Sequence, residues 1–352
     1  MELSLIKILI PAILAFITGI LITPVITHYL YKHKAWKKNG GKQTMHGTEA
    51  VEFNRLKAEE ETKTPRMGGV VIWGSVLLTV GVIAALGYLF EESVFAELNF
   101  FSRSQTWIPM STLLIGAAFG FLNDFYDVTH RRDGVSLKVR LLLISLLSGL
   151  IGWWFYSKLG VATIGIPFAG AMHVDWLIIP FFIFMTIGIY ASGVIDGIDG
   201  LSGGVFASIF VAYAGIAVIQ DQFDIAALCA TIVGGIMAFL WFNIPPARFW
   251  MTETGSMALT LTLAVVVFMT DSLGDGHGIS LFPIVGLLLI VTVLSNVLQV
   301  LYRKTTGRKL FRIAPLHHHF EAIGWPSYKV TMRYWVISIF CAIFGIILAA
   351  II

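Results

Sequence analysis

The sequence predicts an all-α integral membrane protein with about ten transmembrane helices, and three observations carry that reading. Of its 352 residues 57% are hydrophobic and only 13% charged, against about a quarter charged in a soluble domain. Apolar runs of about 20 residues, the length that crosses a bilayer, recur along the chain. Basic residues crowd into alternate loops, the asymmetry that orients membrane proteins. A buried soluble helical core does not account for this, because too many of the helices are apolar all round.

The runs fall near residues 5–30, 68–90, 107–123, 138–157, 175–193, 201–219, 225–243, 256–271, 279–301 and 331–352. The first lacks the charged start, short apolar stretch and small-residue cleavage site of a signal peptide, so it reads as a retained helix. The second is typical: Gly68 to Phe90 carries no charge, and Glu91-Glu92 closes it. The third runs out at Asn123-Asp124, and the eighth opens at Gly255-Ser256. Segment 159–174, after the fourth, alternates small and β-branched residues with Gly and Pro, the pattern of a small hairpin. Over the long polar stretch Lys32 to Arg66, "KAEEETK" leaves two expectations open, a short surface helix or a mobile segment.

All but Lys7, Arg103 and Lys158 of the 24 lysines and arginines lie in the first, third, fifth, seventh and ninth inter-span segments or at their edges. The positive-inside rule puts those five loops in the cytoplasm and both termini outside. A basic cytoplasmic face suits membrane lipid and an anionic substrate. Nucleic acid is a poor partner, since the charges are spread over several loops between spans. Cys229 and Cys341 fall inside apolar spans and read as packing residues, without disulfide or metal. No repeat or second domain is evident, so residues 1–352 are expected to form a single polytopic domain.

The chemistry gathers on the five basic loops: "KTPRMGG" (63–69), "GFLNDFYDVTHRRDGVSLKVR" (120–140), "ASGVIDGIDGLSGG" (191–204), "WFNIPPARFWMTETGS" (241–256) and "GRKLFRIAPLHHHFE" (307–321). One Asp at a helix start is an ordinary cap. Asp196 and Asp199 together, among glycines at the edge of a span, exceed that explanation, because carboxylates at a membrane are expensive. The glycines let backbone N–H groups approach a base or phosphate. Asp124 alone would pass as a solvated helix end, and Glu253 alone as a first-turn carboxylate. Four acids at one membrane boundary fit Mg2+, which takes one or two carboxylates plus substrate phosphates. His317, His318 and His319 could be read as zinc ligands, but adjacent residues rarely converge on one ion and no Cys lies near. They read instead as donors to phosphate or sugar oxygens from a solvated loop.

Taken together, "TPRMGG", "DGIDGL", "WFN" with an acid ten residues on before "GS", and above all "RKLFRIAPLHHHFE" resemble the phospho-N-acetylmuramoyl-pentapeptide transferases of peptidoglycan synthesis. The likeness runs from about residue 60 to the C-terminus, and the His triplet is its specific element. The resemblance implies a Mg2+-dependent phosphotransferase of the bacterial inner membrane. Its substrates would be UDP-N-acetylmuramoyl-pentapeptide and undecaprenyl phosphate, its products lipid I and UMP, and a second copy of the chain an expected partner. Such transfers are mostly alignment and charge neutralisation.

Carried over residue by residue, Asp124 corresponds to the second acid of the family's acid pair and Asp196 to a carboxylate near the reacting phosphates. Gly197, Ile198 and Asp199 correspond to the uracil-reading segment, Asn243 to a uridine-side contact, and Trp250 to an aromatic that stacks on uracil. His317, His318 and His319 would lie over the donor's phosphate or sugar-peptide end. Lys63, Lys138 and Arg140 are expected phosphate partners. The metal would be held by Asp124 and Glu253. The departures cluster in the catalytic centre: Asn123 stands for the pair's first acid, Glu253 for the metal aspartate, Gly193 for an Asn and Arg66 for a Thr. Thr252 replaces a glycine, which suggests an altered backbone path. Two rivals remain: the same chemistry on another UDP-sugar, and a silent homologue that binds nucleotide or lipid carrier. A transporter is disfavoured, since no paired broken helices appear mid-membrane.

Overall fold

The computed structural model describes residues 2–38, 40–41, 54–55, 59–102, 104–129, 134–272 and 276–352, less the side chains of 2, 3 and 272. Its helices are α1 Glu2–Lys32, α2 Val70–Leu89, α3 Val94–Leu98, α4 Trp107–Thr129, α5 Leu137–Leu159, α6 Ile178–Ala191, α7 Leu201–Ile219, α8 Phe223–Asn243, α9 Thr252–Ser272, α10 Gly278–Val285, α11 Leu287–Thr306, α12 Leu316–Ala322 and α13 Ser327–Ile351. Short 3-10 turns, Asp175–Leu177 and Ser192–Ile195, extend α6 at both ends. Ten of the described helical segments are long and apolar enough to cross a membrane, and they coincide with the ten apolar runs.

Two details differ from the apolar pattern. The expected span 279–301 is broken at Gly286 into α10 and α11. Pro283 has no N–H for the helix ladder, and glycine is the weakest ordinary helix former, so the chain turns there. In the polar stretch, residues 59–61 are helical, whereas the first two residues of "KAEEETK" lie outside the described residues. The hairpin is present: β1 Thr163–Ile166 pairs antiparallel with β2 Gly170–His173, Ile164 opposite Met172.

The core is built around α7, α8 and α9, the most deeply buried spans. On this centre α1 packs against α8, α4 against α9 and α13 against α7, while α5 leans mainly on α6. Phe155, Phe182 and Phe268 tie α5, α6 and α9 together, with the Phe182 and Phe268 rings edge-to-face at 4.5 Å. The outer faces of α1, α5 and α13 expose leucines, isoleucines and phenylalanines, as helices facing lipid do. The α4–α9 contact is close enough that a Cβ on Gly116 would lie 2.9 Å from the Met257 carbonyl, and one on Gly120 would collide with that of Glu253. Those glycines press the acidic end of α4 onto the first turn of α9.

Candidate active site

That contact places Asp124 as a cap for a helix other than its own. The first N–H groups of a helix have no partner within it. Asp124 Oδ2 accepts from Thr254 N–H (2.7 Å), Thr254 Oγ1 (2.6 Å) and Thr252 Oγ1 (2.6 Å). The carboxylate is fully buried. Among the described residues its other oxygen accepts no hydrogen bond, and the Arg66 guanidinium lies 3.5 Å from it. Arg66 also meets Asp127 at 3.2 Å, and Lys37 stands 3.9 Å from both Asp127 and Glu61. Burial alone weakens the Arg66 charge, but Asp124, Asp127, Glu61 and Asp196 outweigh it and raise its pKa above the usual arginine range.

Thr252 joins this cluster to loop 191–204. Its N–H donates to Asp196 Oδ2 (2.8 Å), and Ser202 donates to Asp196 Oδ1 (2.7 Å). Burial pushes the Asp196 carboxyl above the usual carboxylate range, against these two hydrogen bonds, which favour its charged form. Thr252 sits at φ +53°, and Met67, whose N–H donates to Thr252 Oγ1, sits at φ +65°. Both are in the left-handed region that glycine favours. Thr252 thus holds a backbone angle that glycine favours and adds a hydroxyl that bridges Met67 and Asp124. Glu253 follows in the first turn of α9, and its carboxylate is ion-paired with Arg140.

The expected nucleotide residues brace two loops against each other. Asp199 accepts from Ala247 N–H (2.9 Å) and from the Nε1–H of the half-buried Trp250 (3.0 Å). Asn243 accepts from Gly200 N–H and donates to the Phe249 carbonyl, so its buried amide is committed to backbone. Asn123 accepts from Val135 N–H (2.9 Å), tying α4 to the segment that enters α5. Lys63 is surface-exposed and paired with Glu59, and Lys138 is exposed in the first turn of α5; neither is brought to the acids.

The histidines are not in a solvated loop. They form α12, in which His317 is fully buried and His318 nearly so. His318 Nδ1 shares a 2.7 Å hydrogen bond with Glu321, whose other oxygen accepts from Ser327. A Cβ on Gly197 would lie 2.6 Å from His318 Nε2 and 2.7 Å from His317 Nε2, so the absence of a side chain there admits both imidazoles. Ile198, the next residue after Gly197, is buried. His319 points elsewhere, accepting from Arg312 N–H and meeting Phe311 edge-on. Because His318 is enclosed, His318→Ala is expected to lower unfolding stability by about 1–3 kcal/mol as well as weaken donor use. Thermal unfolding and donor KM check this; unchanged stability would return His318 to solvent.

Sequence reasoning passed over Asp127, Lys37, Glu61 and Glu321. Two of these had a local signal: Asp127 is three residues after Asp124 on α4, and Glu321 three after His318, the spacing that places side chains on one helix face.

Fold and site together define a polytopic helical membrane protein with acidic, basic and imidazole groups gathered at one set of helix ends. Residues 106–271 match the family described as Glycosyl transferase family 4. The chain is 31% identical to a phospho-N-acetylmuramoyl-pentapeptide-transferase of Geobacillus sp. over 337 residues, 95% of each chain. A protein of that name from Listeria innocua is 32% identical over 82% of this chain and 85% of its own. Another, from Anoxybacillus flavithermus, is 30% identical over 96% and 97%. The chain belongs to the phospho-N-acetylmuramoyl-pentapeptide-transferase family. It is accordingly a phosphotransferase and a multi-pass protein of the bacterial inner membrane.

Proposed function

We propose that the protein transfers phospho-N-acetylmuramoyl-pentapeptide from its UDP conjugate to undecaprenyl phosphate, releasing UMP and forming lipid I on the cytoplasmic side of the membrane. The observation that carries this reading is the link between the buried acid and the histidine helix through Asp196-Gly197: Asp196 accepts from the N–H of Thr252, whose hydroxyl donates to Asp124, and Gly197 abuts His317 and His318. The basic loops face the cytoplasm in this reading, with both termini outside.

Among the described residues no three His, Cys, Asp or Glu side chains form a metal cage. Asp124 and Glu253 nevertheless fit Mg2+, which is commonly held by one or two carboxylates and completed by substrate phosphates and water. Bound magnesium would neutralise charge on the donor diphosphate. Asp124 would turn its open oxygen to the metal while Thr252 and Thr254 hold the other. Arg140 has an Nε with no hydrogen-bond partner, a donor left for a phosphate oxygen. Trp250 would stack on uracil, with the Gly197-Ile198-Asp199 backbone reading its edge. His317 and His318 would donate to the phosphate or sugar oxygens of the donor. Asp196 holds loop 191–204 to Thr252 and so sets the distance between metal side and nucleotide side.

The silent-homologue reading has one observation of its own: Asn123, where the family has an acid, is a neutral amide engaged with Val135 N–H. Both are tested with purified protein, undecaprenyl phosphate, Mg2+ and a panel of UDP-sugars, measuring UMP release. The UDP-muramoyl-pentapeptide is expected to be used far better than UDP-N-acetylglucosamine. Equal use, or the reverse preference, overturns the muramoyl assignment. Nucleotide binding without UMP release from any donor favours the silent homologue.

A further inference from the structure

Where α1 runs out, its last turns and the loop after α8 border a pocket of about 550 Å3, lined by Pro24, Thr27, His28, Tyr31, Lys32 and Arg248. The two walls are joined. Tyr31 Oη–H donates to the Arg248 carbonyl (3.1 Å), and Arg248 N–H donates to the Phe242 carbonyl (2.9 Å). The Arg248 guanidinium stands over the Phe242 ring, 5.7 Å from its centre. No acidic residue lines the pocket, and among the described residues neither Lys32 nor Arg248 has an ion-pair partner. Arg66, Lys37 and Arg140, by contrast, all face carboxylates. Thr27 adds a hydroxyl. Thr23, one turn earlier, donates to the Gly19 carbonyl (2.6 Å), whereas the buried Thr27 Oγ1 has no partner among the described residues. Two unpaired cations, an imidazole and an uncommitted hydroxyl in one pocket are donors for an anion.

We propose that this pocket seats the phosphate headgroup of an anionic phospholipid. The depth of the pocket selects that occupant. The positive-inside rule puts this end of α1 at the cytoplasmic surface. Tyr29 and Tyr31 on α1 and Trp241 near the end of α8 are exposed there, as aromatic residues are at a membrane interface. Lys32, His28 and Pro24 lie four residues apart, and the same helix face continues through Leu21, Ile17 and Ile13, all exposed. From Pro24 to Ile13 that apolar stripe runs about 16 Å, close to half the hydrocarbon thickness of a bilayer and so to one leaflet. Acyl chains lie along the stripe while Lys32 and Arg248 take the phosphate. A soluble phosphate would leave the stripe unused. A zwitterionic headgroup would bring its ammonium among cations, with no carboxylate in the pocket to meet it. None of the six lining residues belongs to the acidic or histidine clusters, so the site does not depend on the transfer reading. It borders the nucleotide side all the same, because Arg248 stands in the loop that carries Ala247 and Trp250, both bonded to Asp199.

Photolabelling of the full-length protein in lipid nanodiscs tests this without turnover. A photoreactive benzoylphenylalanine at Leu21, the exposed position next below Pro24, should label phosphatidylglycerol in preference to phosphatidylcholine when both are present in equal amounts. Arg248→Gln and Lys32→Gln are each expected to lower that preference about fivefold, the worth of about 1 kcal/mol per basic side chain near an anionic membrane surface. Lys304→Gln removes an exposed cation from the last turn of α11 and should leave the preference unchanged. Equal labelling of the two lipids, or an equal loss in Lys304→Gln, overturns the proposal, since anionic lipid is then drawn by overall charge or not at all. Displacement by inorganic phosphate would assign the pocket to a soluble anion. Displacement by undecaprenyl phosphate at a small fraction of the phosphatidylglycerol would assign it to the acceptor. Either result overturns the proposal too.

Discussion

Arg66→Met should destabilise the protein by about 3–5 kcal/mol, the range seen when one partner of a buried ion cluster is removed. The side chain is 14% exposed and its guanidinium lies between Asp124, which is fully buried, and Asp127, which is 7% exposed. Water therefore cannot take over the neutralisation that Arg66 supplies. Methionine matches much of its volume, so the loss is of charge and hydrogen bonding and not of packing. Lys37 remains 3.9 Å from Asp127, while Asp124 would be left a buried anion held by its threonine donors. Thermal unfolding in detergent measures the loss. Adding Asp127→Asn to Arg66→Met should recover part of it, since one of the two acids that faced Arg66 is then neutral, a coupling that a double-mutant cycle isolates. If Arg66→Met unfolds with the wild type, the cluster is solvent-screened and contributes no more than an exposed pair.

Arg66 also shows what one sequence can and cannot disclose. The ten spans were legible because burial in lipid demands unbroken apolar length, a property of consecutive residues. The break at Gly286 was hidden inside such a run, since hydropathy does not register a missing N–H at Pro283. The acids of the centre were legible as anomalies: Asp124, Asp196 and Glu253 stand where a membrane boundary makes carboxylates costly. Their partners were not. Arg66 reaches Asp124 and Asp127, and Arg140 reaches Glu253, across separations in sequence that no local period marks. The His triplet misled on its surroundings. A polar, basic loop reads as solvated, yet Glu321 and Ser327 supply partners that let His318 be enclosed. Thr252 was visible only as a substitution; the structure gives it a positive φ and three polar neighbours.

Glu253→Gln is expected to abolish UMP release while leaving the fold and nucleotide binding in place. Mg2+ takes oxygens at about 2.0–2.1 Å in near-octahedral order and depends on anionic ligands. With Asn123 neutral and committed to Val135 N–H, the carboxylates left to hold it are Asp124, through its one open oxygen, and Glu253. Converting Glu253 to an amide would halve the anionic ligands of the proposed metal site without altering shape. The Glu253 side chain is 25% exposed and paired with Arg140 at 20%, and the amide can still accept from Arg140, so the substitution removes the charge–charge part of the pair and keeps its hydrogen bond. Asp124→Asn should also reduce turnover severely, but it removes a buried acceptor of three hydrogen bonds, and part of its effect will be on folding. Glu253 is therefore the discriminating position, and Glu253→Asp is expected not to improve on the wild type, because Arg140 and the first turn of α9 are set for the longer side chain. Measured UMP release, thermal unfolding and UDP-sugar binding separate these effects. Turnover that survives Glu253→Gln, or persists in excess chelator, would remove Glu253 from the metal site and leave its carboxylate as the ion-pair partner of Arg140.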